Sequence, residues 1–525
     1  MNALLRTHRV ARPAAANQAM KLLLTACLAI AAWGQPASMK GSPAARAEFA
    51  KGEAALRADD WDGAAAAYGK AVALDPEFFE AHQQYYFTSA SGKNYDNLPK
   101  RKKFEASYLS WARQHPDKAV YRFILGLFYQ YENPDLAARY FAESVKVDAT
   151  FAPGWDALAF TAAGQGQLAE SREYDRKAME AWSESAHYAM LYVRSMSTGD
   201  FGKFRDAAIE YSTRFPDQAA GILQWVAARA PSLHQSQEIY EILRDKHLPA
   251  AAGKLEPLFQ IYLREDAAKA LNLARGILQH VPGNPQWISL ARYAQAIARM
   301  ADAGALAMLD TVTLPPETDR RMLEVARAKA RDALGATRAA YVDLLKYFVA
   351  SPSDEARAEL LALGAKLSKR AAQIDGDVLA LRRQASKPGI RFSTTRFTGG
   401  TPISLASQKG KVFLLSFWYP MCGPCRVEFP FLQAVLEKYR ARGFEIVAVN
   451  GHPPEDAWVT PMMAGWRLDF ITAHGTAEFL KAYAVHSFPS NFLYGADGRI
   501  YYLPRTVDTL DARRELELQI EALLP

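Results

Sequence analysis

The chain has 525 residues, half of them apolar and 23% charged, a composition that suits two to four packed domains and excludes a disordered chain. Its formal net charge of +7 is dispersed apart from Lys100-Arg101-Lys102-Lys103, which reads as a solvated loop or helix start. Three cysteines exclude a disulfide-stapled fold and a four-cysteine zinc site.

Residues 22–33, Leu-Leu-Leu-Thr-Ala-Cys-Leu-Ala-Ile-Ala-Ala-Trp, form an apolar stretch behind Lys21, with small and polar residues following at 34–38. This is a signal-peptide pattern, too short for an ordinary spanning helix. It predicts a leader over 1–38 and a protein exported to the periplasm or envelope of a bacterium, where a nucleic-acid partner is not expected. The residues before Met20 are basic and alanine-rich, so Met20-Lys21 is an alternative start. Leu24-Thr25-Ala26-Cys27 resembles a lipoprotein box that would leave Cys27 as a lipid anchor. Much of the apolar run follows Cys27, however, which favours a simple leader.

From about 44 to 384 the chain is alanine-rich, with aromatic and leucine residues at three- and four-residue spacing, the pattern of amphipathic helices. Gly52, Ala64, Tyr68, Ala71 and Pro76 resemble a tetratricopeptide repeat (TPR). Leu125, Gly126, Tyr129, Ala137, Phe141 and Ser144 form a second copy, with Ala149 in place of the closing proline. A third begins at Trp155, Leu158 and Ala159 and degenerates, and a faint echo runs through Ala270, Ala274, Ile277 and Pro282. The resemblance implies TPR-like repeats over 44–185; over 186–384 only helical hairpins of solenoid type are expected. Tyr85, Tyr86, Phe87, Tyr121, Phe128, Tyr129 and Tyr131 are expected to pack between helices, while the concave face offers a place for a peptide or protein ligand.

Near Lys387-Pro388-Gly389 the texture changes to alternating strands and helices with Gly, Pro and Thr turns. Strands are expected at 390–397, 412–417, 444–449, 470–472, 491–494 and 499–503. Helices are expected at 423–442, 476–483 and 510–523. Such alternation implies a sheet covered on both faces, here over 389–525.

Within this domain Cys422-Gly423-Pro424-Cys425 follows a buried strand and opens a helix. The helix N-terminus favours the thiolate of Cys422, and Cys425 lies one turn on, within reach to close or open a disulfide. Gly423 tolerates the turn and Pro424 fits the first helical turn. No metal is expected, because no second cysteine pair exists and His452, His474 and His486 lack ligand spacing.

Phe417-Trp418, Cys422 to Arg426, Glu428, Pro430, Ser487-Phe488-Pro489-Ser490-Asn491-Phe492-Leu493 and Asp497-Gly498 together resemble the TlpA/ResA-like family of exported thioredoxins. The resemblance implies that Cys422 attacks, that Cys425 resolves the mixed disulfide, and that the two form the redox disulfide. It implies that Pro489 is a cis-proline beside them, with backbone near Phe488 offered to an extended substrate strand. Glu428 matches the family's acidic residue and is the candidate for moving a proton; a surface ion pair with Arg426 or Lys438 is the other reading. Trp418, Met421, Gly423, Pro424 and Phe488 are candidates for substrate contact. Met421 stands where the family usually has tryptophan, and Phe488 where a smaller residue is usual.

The expected fold class is therefore multidomain: an all-α TPR-like helical solenoid followed by an α/β thioredoxin-fold domain. The expected function is dithiol–disulfide exchange with a protein disulfide substrate, without a cofactor. A Gly-Pro spacer resembles that of reductants near −270 mV rather than oxidants near about −120 mV, so a reductase fed by an upstream electron donor is favoured. The alternative is an envelope scaffold whose thioredoxin-like domain is a binding module or redox switch.

Overall fold

The computed structural model describes residues 41–300, 302, 304–314 and 320–524. The leader read at 1–38, the start at Met20 and the lipid anchor at Cys27 lie outside the described residues.

Between Pro43 and Ala385, α-helices follow one another, each packed against its neighbour in sequence. Their starts are local. Ser42, Asp60, Asn97, Asn133 and Asn284 each accept a first-turn N–H through a side-chain oxygen, and four of these five helices carry proline in the first turn. Each such cap contributes about 1 kcal/mol and fixes where the chain turns.

The repeat spacing has a direct physical counterpart. A Cβ on Gly52 would lie 2.5 Å from the Tyr68 ring, and one on Gly126 would enter the Phe141 ring. In both hairpins, Pro43–Arg57 with Trp61–Leu74 and Ala119–Tyr129 with Pro134–Val147, glycine thus lets an aromatic of the second helix lie on bare backbone. The aromatic residues around them serve the same packing: Tyr85 meets Phe104, Phe87 meets Trp61, Tyr129 stacks on Tyr140, and Tyr86 Oη donates to Leu127 O at 2.9 Å. The helical repeat solenoid continues through a core around Leu223, Leu258, Trp287 and Leu290 and a second around Tyr341, Leu344 and Leu360.

Beyond the helices, β1 (Ser393–Thr394) pairs antiparallel with β2 (Ile403–Ser404). A five-stranded sheet follows, built from β3 (Val412–Trp418), β4 (Phe444–Asn450), β5 (Ile471–His474), β6 (Ser490–Tyr494) and β7 (Ile500–Tyr502). Its order is β5-β4-β3-β6-β7; β3, β4 and β5 are parallel, and β6 and β7 are antiparallel to their neighbours. Every residue of β3 is buried, and alternate side chains enter different cores. Leu414 and Trp418 join the helices Gly423–Tyr439, Asp456–Gly465 and Leu510–Glu521, whereas Phe413, Leu415 and Phe417 join Phe479 and Tyr483. This is a thioredoxin fold.

Three element expectations change. The strand expected at 390–397 is reduced to Ser393–Thr394, because its partner β2 is only two residues long. The helix expected to reach 442 ends at Tyr439 and tightens into a 3-10 turn, closed by Gly443 at φ 91°. A helix not expected at all, Asp456–Gly465, packs Val459 and Met462 with Ile446 and Ala448 of β4; its interior Pro461 disguises it as a loop.

The solenoid and the sheet domain meet over a long seam. Arg264 and Arg321 both reach Asp511, Arg514 pairs with Asp354, Arg382 donates to Ala522 O and Arg499 holds Ser386. Near the sheet's C-terminal edge, Trp466 Nε1 donates to Ala163 O at 3.1 Å and Gly166 lies against Gly465.

Candidate active site

The buried strand β3 carries the chain to Trp418, and Tyr419-Pro420-Met421 turns it into the helix Gly423–Tyr439. Cys422 is the N-cap of that helix, and its Sγ accepts the N–H of Cys425 at 3.2 Å. Pro424 lies in the first turn, where a missing N–H costs nothing. Cys422 and Cys425 form a disulfide with their Cα atoms 5.3 Å apart. Neither is open to solvent: Cys422 is 1% and Cys425 0% exposed.

Phe488, in the loop before β6, packs against the same core that holds the pair. The Phe488–Pro489 peptide is cis, and the Phe488 ring packs edge-on against Tyr419 at 5.2 Å. A Cβ on Gly451 would meet that ring at 2.5 Å, so a glycine after β4 makes room for the large residue before Pro489.

Glu428 lies one turn along the helix from Cys425 and is 0% exposed. Val507 N donates to its Oε2 at 3.2 Å, and Asn491 Nδ2 is 3.4 Å from each carboxyl oxygen. Burial pushes its carboxyl up to about 7, with a smaller push from the charge of Asp508, while the two hydrogen bonds pull the other way. The surface ion pair is not formed. Arg426 instead donates to Pro420 O at 2.6 Å and reaches Met421 Sδ at 3.0 Å, while Lys438 pairs with Glu517.

Of the residues expected to touch substrate, Gly423 and Pro424 are exposed and Phe488 is half-buried. Trp418 is a correction. It is wholly buried beneath the site helix against Phe429, with ring centroids 4.9 Å apart, and forms part of the core. Met421 is nearly covered too, at 9% exposure.

Sequence reasoning missed Glu455. This buried carboxylate follows β4; its Oε2 accepts Met421 N at 2.8 Å and its Oε1 lies 3.0 Å from His452 Nδ1. It thereby anchors the backbone just before Cys422. The available signal was an acid placed directly after Pro453-Pro454 at the end of a core strand.

Residues 384–518 match the Redoxin family model. The chain is 35% identical over 104 residues to thiol-disulfide oxidoreductase ResA of Bacillus subtilis, covering 20% of this chain and 58% of that protein. It is 32% identical over 121 residues to a ResA of Bacillus cereus, covering 23% of this chain and 68% of the relative. The chain belongs to the ResA family of thiol-disulfide oxidoreductases.

The ResA-like part is thus the sheet domain, and the chain spans less than two thirds of the length of the Bacillus subtilis relative. A crystal structure of a thiol:disulfide interchange protein of the thioredoxin family from Chlorobium tepidum is 25% identical, covering 27% of this chain and 97% of that one, with a TM-score of 0.23. Among the described residues no helix is long and apolar enough to cross a membrane.

Proposed function

We propose that this protein is an exported thiol–disulfide oxidoreductase that reduces protein disulfides through Cys422 and Cys425. The observation that carries this reading is the Cys422–Cys425 disulfide at a helix N-terminus, one turn from the buried Glu428. In this reading, 389–525 is the catalytic domain, 44–185 a TPR-like array and 186–384 its degenerate continuation. The array holds partners, and the leader lies within 1–38.

The chemistry needs no cofactor. In the dithiol form, the N–H of Cys425 and the helix dipole favour the Cys422 thiolate. That thiolate attacks one sulfur of the substrate disulfide; the second substrate sulfur leaves and takes up a proton. Cys425 gives its proton to Glu428, whose carboxyl titrates near neutrality and can serve as base, and then attacks Cys422 Sγ in the mixed disulfide. The Cys422–Cys425 disulfide closes and the first substrate sulfur leaves as a thiol. Two electrons and two protons have passed to the substrate, and a dithiol donor restores the enzyme by the reverse exchange.

The test is turnover of insulin disulfides with dithiothreitol as donor, together with a trap. Cys422→Ser should abolish turnover, and Cys425→Ser should accumulate a mixed disulfide through Cys422 with substrate proteins. Failure of the wild type to turn over any disulfide would sink the reading. The near-complete burial of Cys422 favours one rival, a scaffold with a redox-sensitive module. That rival predicts partner binding that survives loss of both cysteines and disappears on deletion of 44–185.

A further inference from the structure

One corner of the solenoid reaches the redox site itself. The helix Ala152–Gly164 ends beside Met421 and the helix Asp456–Gly465, and the turn into Leu168–Ala181 continues across the same surface. Four contacts define the fit. The Arg426 guanidinium lies over the Phe160 ring, 5.6 Å from its centroid. Gly164 leaves room for Trp458 and Met421: a Cβ there would meet Trp458 Cε3 at 2.6 Å and Met421 Cε at 3.1 Å. Ala163 O, a carbonyl in the last turn of its helix, accepts Trp466 Nε1 at 3.1 Å. Gly166, at φ 78°, and Gly465 approach so closely that neither can carry a side chain without shifting the other's backbone.

These contacts fall on one side of the cysteine pair. Met421 immediately precedes Cys422, and Arg426 immediately follows Cys425; the solenoid covers both. On the other side the rim is open: Gly423, Pro424, His486 and Ser487 are exposed, and Phe488 and Pro489 are half-buried. A partner thiol or disulfide must meet the sulfur of Cys422 in line, so the direction of approach decides which partners react.

We propose that Phe160, Ala163, Gly164 and Gly166 of the solenoid are specificity-determining residues of the thiol site. They wall off its Met421 side and admit disulfides presented on an extended or unfolded segment, while rejecting folded proteins whose surface would spread across Met421. This rests on the reductase reading above. The wall does not change the exchange chemistry: the same thiolate attack, mixed disulfide and release occur, but the partner enters over Gly423-Pro424 and His486-Ser487-Phe488. An extended strand fits that rim because it is narrow and can run along the backbone at Phe488. A globular face is broad and meets Phe160 and Trp466 first.

The experiment compares two substrates on the full chain: a short unfolded peptide joined by one disulfide to a second such peptide, and insulin, whose disulfides sit in a folded body. The readout is the ratio of kcat/KM for insulin to that for the peptide, under dithiothreitol. Gly465→Ala places a Cβ on the Gly166 backbone and displaces the turn; the ratio should rise on the order of tenfold, the size of effect that one removed steric contact gives. Phe160→Ala trims a side chain that is 38% exposed in the fold and should raise the ratio in the same direction, about threefold. If Gly465→Ala fails to fold by circular dichroism, Phe160→Ala carries the test. Turnover of both substrates with an unchanged ratio in the folded variants would overturn the wall while leaving the reductase reading intact. No turnover of either substrate by the wild type would overturn both.

Discussion

Asn491, at the register position of β6 opposite Ser416 in β3, holds its side-chain nitrogen 3.4 Å from both carboxyl oxygens of Glu428. The residue two places after Pro489 is thereby tied to the acid one turn after Cys425. Two segments of the proposed redox site are joined through side chains that are both buried.

That burial sets a pH dependence. The folded carboxyl titrates at about 7 against an ordinary value of 4.5, so folding favours its protonated form. Its contribution to stability is fully present below about pH 4.5 and is lost as pH rises through 7, with a total change of about 3 kcal/mol. Glu428→Gln keeps the shape and cannot ionise. Urea unfolding at pH 5 and pH 8 should therefore show the variant gaining about 2.5 kcal/mol on the wild type between the two conditions. An equal difference at both values would mean that the acid is not held neutral by burial. In the insulin assay the same variant should lose the acidic limb of the pH–rate profile near 7, because the proton of Cys425 no longer has this acceptor.

Glu455 should prove structural for the turn that leads to Cys422. Removing it leaves Met421 N without its acceptor and His452 Nδ1 without its partner. Glu455→Ala is expected to cost about 2–3 kcal/mol in urea unfolding, the range for losing a buried hydrogen bond to a charged group. Glu455→Gln retains an oxygen for Met421 N and should cost less than half as much. Equal losses in the two variants would show that charge, rather than the Met421 hydrogen bond, is what matters.

The parts of this structure that were legible in the sequence are those set by neighbours along the chain. Residues 412–417 read as a core strand because the run is apolar but for Ser416, and Cys422 reads as a helix start because glycine and proline follow it. Gly52 with Tyr68 and Gly126 with Phe141 are read from spacing, since a hairpin brings residues about fifteen apart onto facing helices. What was not legible depends on distant segments. Pro461 conceals a helix that only the packing of its Val459, Met462 and Met463 into the sheet-domain core explains. The environment of Glu428 is decided by Val507, and the cover on Met421 by Gly164, far away in sequence. Trp418 was a candidate for substrate contact because it matches the family's active-site segment; the sheet is covered on both faces, so the strand that carries it is buried throughout.

The glycines of the solenoid divide into two kinds with opposite expected responses. Gly126→Ala drives a methyl into the Phe141 ring at the closest point of a hairpin and should destabilise the chain by about 1–3 kcal/mol. Gly276 lies inside the helix Ala267–His280 with nothing within 4 Å of where a Cβ would stand. Gly276→Ala should therefore stabilise by roughly 0.5–1 kcal/mol through helix propensity alone. Thermal unfolding followed by circular dichroism reads both, and a loss in the second variant would mean that the helix is closely covered there.

The seam between solenoid and sheet domain should respond to salt through Asp511. This residue opens the helix Leu510–Glu521, and its two oxygens take Arg264 at 2.9 Å and Arg321 at 3.3 Å from two different solenoid helices. The arginine side chains are largely covered while the carboxylate is partly exposed, so the pair is stronger than a free surface bridge and still open to screening. Asp511→Ala leaves two guanidinium groups facing each other without the acid. It is expected to cost about 1–2 kcal/mol at low salt and visibly less at 1 M, where the screening length falls to about 3 Å. Differential scanning calorimetry would show whether the loss is shared: a single transition that shifts as a whole means that the two parts unfold together, and an early transition split off from the main one means that this seam is what couples them.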